Sequence, residues 1–141
     1  MSEATIQARL AAALEPLVAE GSVLVNDYRT PQVASQARSP WVIVETADAV
    51  RASTGAAWTV WDVVYEPFVA LLTYRRGQSD AAHVGAFQAL RQQVIAALLA
   101  VEGVDSIETA AAIGPYFAEN GDEDPDSLFQ RLRVTVKEYE V

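Results

Sequence analysis

A chain of 141 residues, 51% of them apolar, is long enough to bury a core of its own as one domain spanning residues 1–141. No window approaches about eighteen uninterrupted apolar residues, which excludes a membrane-spanning helix, and the net charge of −9 lacks the basic footprint that DNA or RNA demands of a main partner. The absence of cysteine excludes disulfides and thiolate chemistry and fits a reducing cytoplasm.

Residues 3–20 predict a first helix, with Ile6, Leu10, Leu14 and Leu17 on one face and Gly21 to end it. Pro16 falls inside that pattern, so a kink or an early stop near Leu14 is expected. Val23 to Val25 suits a short strand. Asn26 to Pro40 reads as a long polar loop punctuated by Pro31 and Pro40, and loops of that length are usually functional. Trp41 to Thr46 reads as a buried strand. Ala47 to Ala57 then forms the tip of a projecting hairpin whose second arm is a long β segment from Trp58 to Arg76. Pro67 cannot donate to a ladder, so a bulge or an edge is expected there.

Ser79 to Gly103 is the clearest helix. Ser79 and Asp80 offer capping oxygens, and Gly103 can turn left-handed after it. Val84, Phe87, Leu90, Val94, Leu98 and Val101 recur at three- and four-residue steps, widened by Ile95 and Leu99, so they share one buried stripe. The opposite face, Ala86, Ala89, Gln93, Ala96 and Ala100, carries no charge. Alanine is the best helix former, and a second element or a second copy of the chain lying against this face is the other reading. Val104 to Ile113 reads as a strand with Ile107, Ala111 and Ile113 on one face, broken by Gly114 and Pro115. Phe129 to Val141 alternates, with Leu132, Val134 and Val136 facing one way and Arg131, Arg133, Thr135 and Lys137 the other. Helix, strands, helix, strands is the order of an α+β domain: an antiparallel or mixed sheet with two main helices on one face.

Charge is segregated. From Glu102 to Asp126 there are eight acidic residues and no basic one, and nine of the ten basic residues are arginine. Catalytic patterns are wanting. His83, the single histidine, lies near the apolar stripe and reads as a core residue. No phosphate loop, nucleophile elbow or HExxH is present. Asp122, Asp124 and Asp126 imitate the first ligands of a calcium loop, but Ser127 stands where glycine is needed and Arg133 where a bidentate glutamate is needed. Asp62 and Glu66, spaced i, i+4 on a strand, suit a solvated sheet face better than a carboxylate pair for catalysis. Trp41 reads as core; Trp58 and Trp61, at the base of the hairpin, suit either core or an interface. Neither an enzyme nor any cofactor or metal is expected.

Certain residues carry a resemblance. They are the first helix ending near Gly21, the strand Pro40-Trp-Val-Ile-Val-Glu45, and the run Trp61-Asp-Val-Val-Tyr-Glu66 leading to the helix that carries Leu90 and Ile95-Ala-Ala-Leu-Leu99. The closing strand, Arg131-Leu-Arg-Val-Thr-Val-Lys137, completes the set. Over nearly its whole length the chain resembles the tail terminator (tail completion) proteins of long-tailed phages, the group that includes the minor tail protein U of phage lambda. Pro67 and the acidic turn at 122–126 depart from the pattern. The resemblance implies a structural virion protein that closes into a hexameric ring on the tail tube, stops its growth and joins the head through a connector. It would act in the host cytoplasm during assembly and at the head-proximal tail end in the virion. DNA could pass through such a ring without specific binding. Candidate subunit contacts are then Arg75, Arg76, Arg131 and Arg133 against Glu119, Asp122, Glu123 and Asp124. Candidate contacts to tube or connector are Tyr28, Arg29, Arg38, Asp48 and Arg51. Another neck protein, such as a head–tail adaptor, and a small cytoplasmic binding module remain as alternative readings.

Overall fold

The fold is taken from a computed structural model, which describes residues 3–34, 40–46, 49–53, 61–75, 77–115 and 126–140. Its backbone is a seven-stranded mixed sheet built around two long antiparallel lines of chain. Strand β7 (Ser127–Glu140) pairs with β4 (Trp61–Tyr65) over its second half and with β5 (Phe68–Tyr74) over its first. Both pairings keep one register, from Trp61↔Glu140 to Tyr74↔Ser127. Pro67 sits at the break between them. The Val134 N–H donates to the Pro67 carbonyl at 2.9 Å, and the return bond cannot form because proline has no N–H. The expected bulge or edge at Pro67 is therefore an interruption of one strand with the ladder to β7 kept in step.

On the other side of this line lie β2 (Trp41–Val44), antiparallel to β5, and β3 (Ala49–Ser53), antiparallel to β4. The two arms expected of a hairpin do pair, but the stretch expected as its tip contains a strand. Ala49 to Ser53 continues the arm, while the remainder of Ala47 to Ala57, together with Trp58, lies outside the described residues. Only the backbone is described for Trp61 and Asp62. Glu66 is exposed, at the break between β4 and β5. Beyond β2, β1 (Val23–Val25) adds a parallel edge, and beyond β7, β6 (Val104–Thr109) adds an antiparallel one. β6 ends sooner than expected, and Ala111 is exposed. Gly114 then touches the sheet again through an isolated bridge to Phe129.

Helix α1 (Glu3–Leu14) buries Ile6, Gln7, Leu10 and Leu14, and Pro16 converts its continuation into a single 3-10 turn at Glu15–Leu17. The short helix α2 (Arg29–Ala34) replaces part of the expected loop. Its first turn is held by Asp27, whose Oδ1 accepts from the N–H groups of Arg29 (2.9 Å) and Thr30 (3.1 Å) and whose Oδ2 accepts from Thr30 Oγ1 (2.6 Å). Pro31 is tolerated there because the first helical turn has no N–H partners to lose.

Helix α3 (Asp80–Leu99) starts as expected, with Ser79 Oγ accepting from Ala82 N. Its buried stripe is His83, Phe87, Leu90, Val94 and Leu98. Val84, expected in that stripe, is 37% exposed, and Leu99 is 52% exposed. His83 and Val84 both sit one turn before Phe87. The His83 ring occupies the inward position because Thr73 Oγ1, 2.8 Å from its Nε2, satisfies it there. Gly103, at φ 92°, carries the chain from α3 into β6. A Cβ at that position would lie 3.2 Å from the Lys137 carbonyl oxygen.

Both long helices cover the same face of the sheet. Between them lie Val42, Val44, Val63, Tyr65, Val69, Leu71, Leu132, Val134 and Val136. Each such side chain contributes about 1.5–3 kcal/mol on burial before ordering entropy is subtracted. The other face carries a smaller cluster of Trp41, Leu72 and Tyr74 with Leu24 and Phe129 packed against it. β2 is consequently buried on both sides, which is why its sequence is continuously apolar rather than alternating.

Candidate functional site

The alternation of β7 sends Phe129, Arg131 and Arg133 to the face away from the long helices, and the register of β5 sets Phe68 opposite Arg133. The Arg131 guanidinium lies 5.8 Å from the ring centres of both Phe68 and Phe129, and that of Arg133 lies 5.4 Å from Phe68. Glu45, just past β2, reaches the same cluster. Arg131 Nη2 donates to Glu45 Oε1 at 3.0 Å, while Nε stands 2.9 Å from Oε2 as an ion-pair contact without hydrogen-bond alignment. Tyr28 closes the group, edge-on to Phe129 at 6.1 Å. Burial, and then the Glu45 carboxylate, push the Tyr28 hydroxyl well above its ordinary range. Burial acts to lower the pKa of Arg131, but Tyr28 and Glu45 outweigh it and raise that pKa, so the cation is held in place.

Beside this cluster the segment after β6 arches away from β7, leaving a groove of about 310 Å³ lined by Phe68, Ala110 to Ala112, Phe129, Gln130, Arg131 and Arg133. Arg133 is exposed and has no ion pair among the described residues. The structure thus brings together Tyr28, expected at a tube or connector contact, and Arg131 and Arg133, expected at a subunit contact. Arg75 is elsewhere, at the end of β5. Its Nη2 is 2.8 Å from Asp80 Oδ1 and its Nε 3.9 Å from Asp126 Oδ1, while its backbone N–H donates to the Asp126 carbonyl. It fastens the corner between β5, α3 and β7. Arg29 is exposed in the first turn of α2. Arg51 is described only as a backbone position in β3. Arg38, Asp48, Arg76, Glu119, Asp122, Glu123 and Asp124 lie outside the described residues.

A second concavity, about 380 Å³, opens between Pro40, the end of β5 and the first half of α3, with Thr73 and His83 on its wall. Burial, and then the neighbouring Arg75 charge, lower the pKa of His83. An imidazole bonded to a threonine hydroxyl, beside Phe87 and Leu90, is a satisfied polar pair in an apolar wall. Among the described residues no three His, Cys, Asp or Glu side chains gather closely enough to hold a metal ion.

The third surface is the outward side of α3. From Ala81 to Ala100 the single charged residue is Arg91, half-buried and donating through Nη2 to Thr109 Oγ1 at 2.9 Å. The exposed positions are alanine, glutamine, Gly85, Val84 and Leu99. A solvated helix face ordinarily carries charges.

Sequence pattern alone could place Phe129, Arg131 and Arg133 on one face. It could not supply Glu45 or Phe68, whose approach depends on strand register. No protein-family model matches the chain, and no curated protein matches its sequence. Among the described residues no helix is long and apolar enough to cross a membrane.

Proposed function

We propose that this chain is a structural subunit of a long-tailed phage virion, a tail terminator that assembles into a ring, caps the tail tube and presents the joining surface for the head. The observation that carries the reading is the outward face of α3, twenty residues of rigid helix almost without charge. Such a face suits a protein surface better than solvent. The order of elements, the resemblance and the segregation of acidic from arginine-bearing segments support the same reading. Opposite charges on different parts of one subunit favour a head-to-tail contact, and such a contact closes into a ring when its rotation permits. Six copies are expected from the resemblance.

In this reading the protein is not an enzyme and needs no cofactor. One ring face binds the tube end and displaces the next layer of tube protein, and the other meets the head–tail connector. DNA passes through the ring without sequence-specific contact. The subunit is made in the host cytoplasm and ends at the head-proximal end of the tail.

Electron microscopy of tails from a phage with an early stop codon in this gene tests the proposal. Overlong, headless tubes are expected, and purified protein added back should give tubes of set length that join heads. Normal-length tails in the mutant would sink the reading. Tubes of normal length that merely fail to join heads would point to an adaptor instead.

A further inference from the structure

We infer that the last turn of α3, led by Leu99, seats in the cavity between Pro40 and the first half of α3 on a neighbouring copy of this chain. The inference rests on the ring reading above and supplies its repeating contact.

Leu99 is 52% exposed, the most open of the large apolar side chains among the described residues. Ala96, one turn back on the same side, and Ala100 beside it carry only methyl groups, so Leu99 stands out from the end of a long helix. No charged residue lies between Arg91 and Glu102. Covering this surface therefore strands no ion.

The cavity holds about 380 Å³, room for about a dozen water-sized groups. That is more than one leucine side chain fills, and it suits a leucine together with the two alanines beside it. Pro40, Ala86, Phe87 and Leu90 give the cavity carbon walls. Thr73 Oγ1 and His83 Nε2, also on its wall, are 2.8 Å apart and satisfy each other. An apolar occupant costs such a pair nothing, whereas a charge would enter without a partner. Gln78 is exposed at the rim, and its side chain has no hydrogen bond among the described residues. A helix ends on carbonyls that lack intrahelical donors, and the amide N–H groups of Gln78 complement them.

Both halves of this contact belong to the same helix, which decides who the partner is. Leu99 lies nine residues beyond Leu90, the last residue of the cavity wall, about 14 Å along the axis. A continuous helix cannot fold back over that distance, so Leu99 never fills its own cavity. The two features also face different ways. Thirteen residues separate Ala86 from Leu99, which sets them about 140° apart around the axis. Two-fold pairing of α3 on α3 brings the same face of both helices together and does not seat each Leu99 in the other's cavity. One copy instead offers its cavity to one neighbour and its Leu99 to another. Such a contact repeats, and it closes into a ring when its rotation permits.

The chain has no cysteine, so introduced thiols report the contact in the full-length protein. Leu99→Cys mixed with Ala86→Cys and oxidised glutathione should give a disulfide-linked dimer, which requires Cα atoms within about 7 Å. Neither variant alone should cross-link, and the double variant should give a ladder of covalent oligomers. Leu99→Asp should melt within a few degrees of the parent and weaken the assembly seen by sedimentation at least about tenfold. A mixture that fails to cross-link would overturn the inference, as would cross-linking of Leu99→Cys to Ala81→Cys in place of Ala86→Cys, which would show a two-fold pair. Assembly of Leu99→Asp like the parent would overturn it too. If the parent caps tubes while the mixture fails to cross-link, the contact fails and the tail reading stands. If the mixture cross-links but the parent caps no tubes, the contact stands and the tail reading fails.

Discussion

Arg131 and Glu45, separated by 86 positions in sequence, are joined across β5 on the face of the sheet opposite the long helices, with Nη2 3.0 Å from Oε1. The guanidinium also lies between Phe68 and Phe129, so its contribution combines an ion pair with two ring contacts. Arg131 is about half-exposed, and solvent screening keeps such pairs near 0–1 kcal/mol, with about 0.5–1 kcal/mol more for an exposed cation over a ring. Arg131→Met should therefore lower stability by about 1–2 kcal/mol. A denaturant double-mutant cycle with Glu45→Gln should give a coupling of about 0.5–1 kcal/mol. Coupling indistinguishable from zero would mean that the rings alone hold the arginine.

Asn26 ties α1 to the sheet. It takes φ 57°, its Oδ1 accepts from Gln7 Nε2 (3.2 Å) and Thr46 N (2.8 Å), and its own N–H donates to the Val44 carbonyl. Asn26→Ala loses both side-chain bonds and keeps a left-handed backbone without a polar side chain. A cost of about 2–3 kcal/mol follows. Asn26→Gly relieves the backbone and should cost about 1 kcal/mol less. Equal losses in chemical denaturation would show that backbone conformation is not part of the effect.

How far the fold could be read in advance differs from element to element, for physical reasons. α1, α3 and β7 were legible because their apolar residues recur at the helical or strand period over many residues, and β2 because a short apolar run rich in β-branched residues follows directly on Pro40. α2 was not, because six residues carry no periodic signal. Its only mark is Asp27 four residues before Pro31, a start signal that also reads as loop punctuation. His83 and Val84 could not be separated by periodicity, since both lie one turn before Phe87. The hydroxyl of Thr73, on another element, decides between them. The same limit governs the candidate site. Arg131 and Arg133 were visible as a pair on one face of a strand, but Glu45 and Phe68 join them only through the register of three strands, which local sequence does not encode.

Val134 tests the inner face of the closing strand. Its side chain is fully buried among the core residues that face α1 and α3. Val134→Asp puts a charge where nothing can pair with it, at a cost of about 3–5 kcal/mol, a large share of the whole stability of a domain this size. Thermal melting should fall sharply or the protein should be insoluble. A melting point within a few degrees of the parent would contradict the inward orientation.

Ala96 tests the outward side of α3 from the opposite direction. It is exposed on a helix whose neighbouring outward residues are uncharged, so Ala96→Glu should change the stability of the isolated chain by no more than about 0.5 kcal/mol. If this face is covered in an assembly, the same substitution buries an unpaired charge and should drive native mass spectra toward monomer. Unchanged melting with unchanged assembly would remove α3 from the interface.

His83 predicts a pH dependence whose sign follows from its surroundings. Burial first, and then the charge of Arg75, lower its pKa below the ordinary 6.5, with Asp80, a ring hydrogen bond to the Thr73 backbone carbonyl and Asp126 acting the other way. The folded chain therefore holds off a proton that the unfolded chain accepts. The stability linked to neutral His83 is fully present above 6.5 and declines as the pH falls below it. The decline ends once the folded imidazole is protonated as well. The Asp27 carboxyl, lowered chiefly by its hydrogen bond from Thr30, contributes with the same sign but at more acidic pH, around and below its ordinary 3.8. Melting temperatures between pH 7.5 and 5.5 should fall less steeply in His83→Gln than in the parent. The difference in slope should correspond to at most one proton per chain. Parallel curves over that range would show that His83 keeps an unshifted pKa and that the Thr73 pair does not depend on the neutral ring.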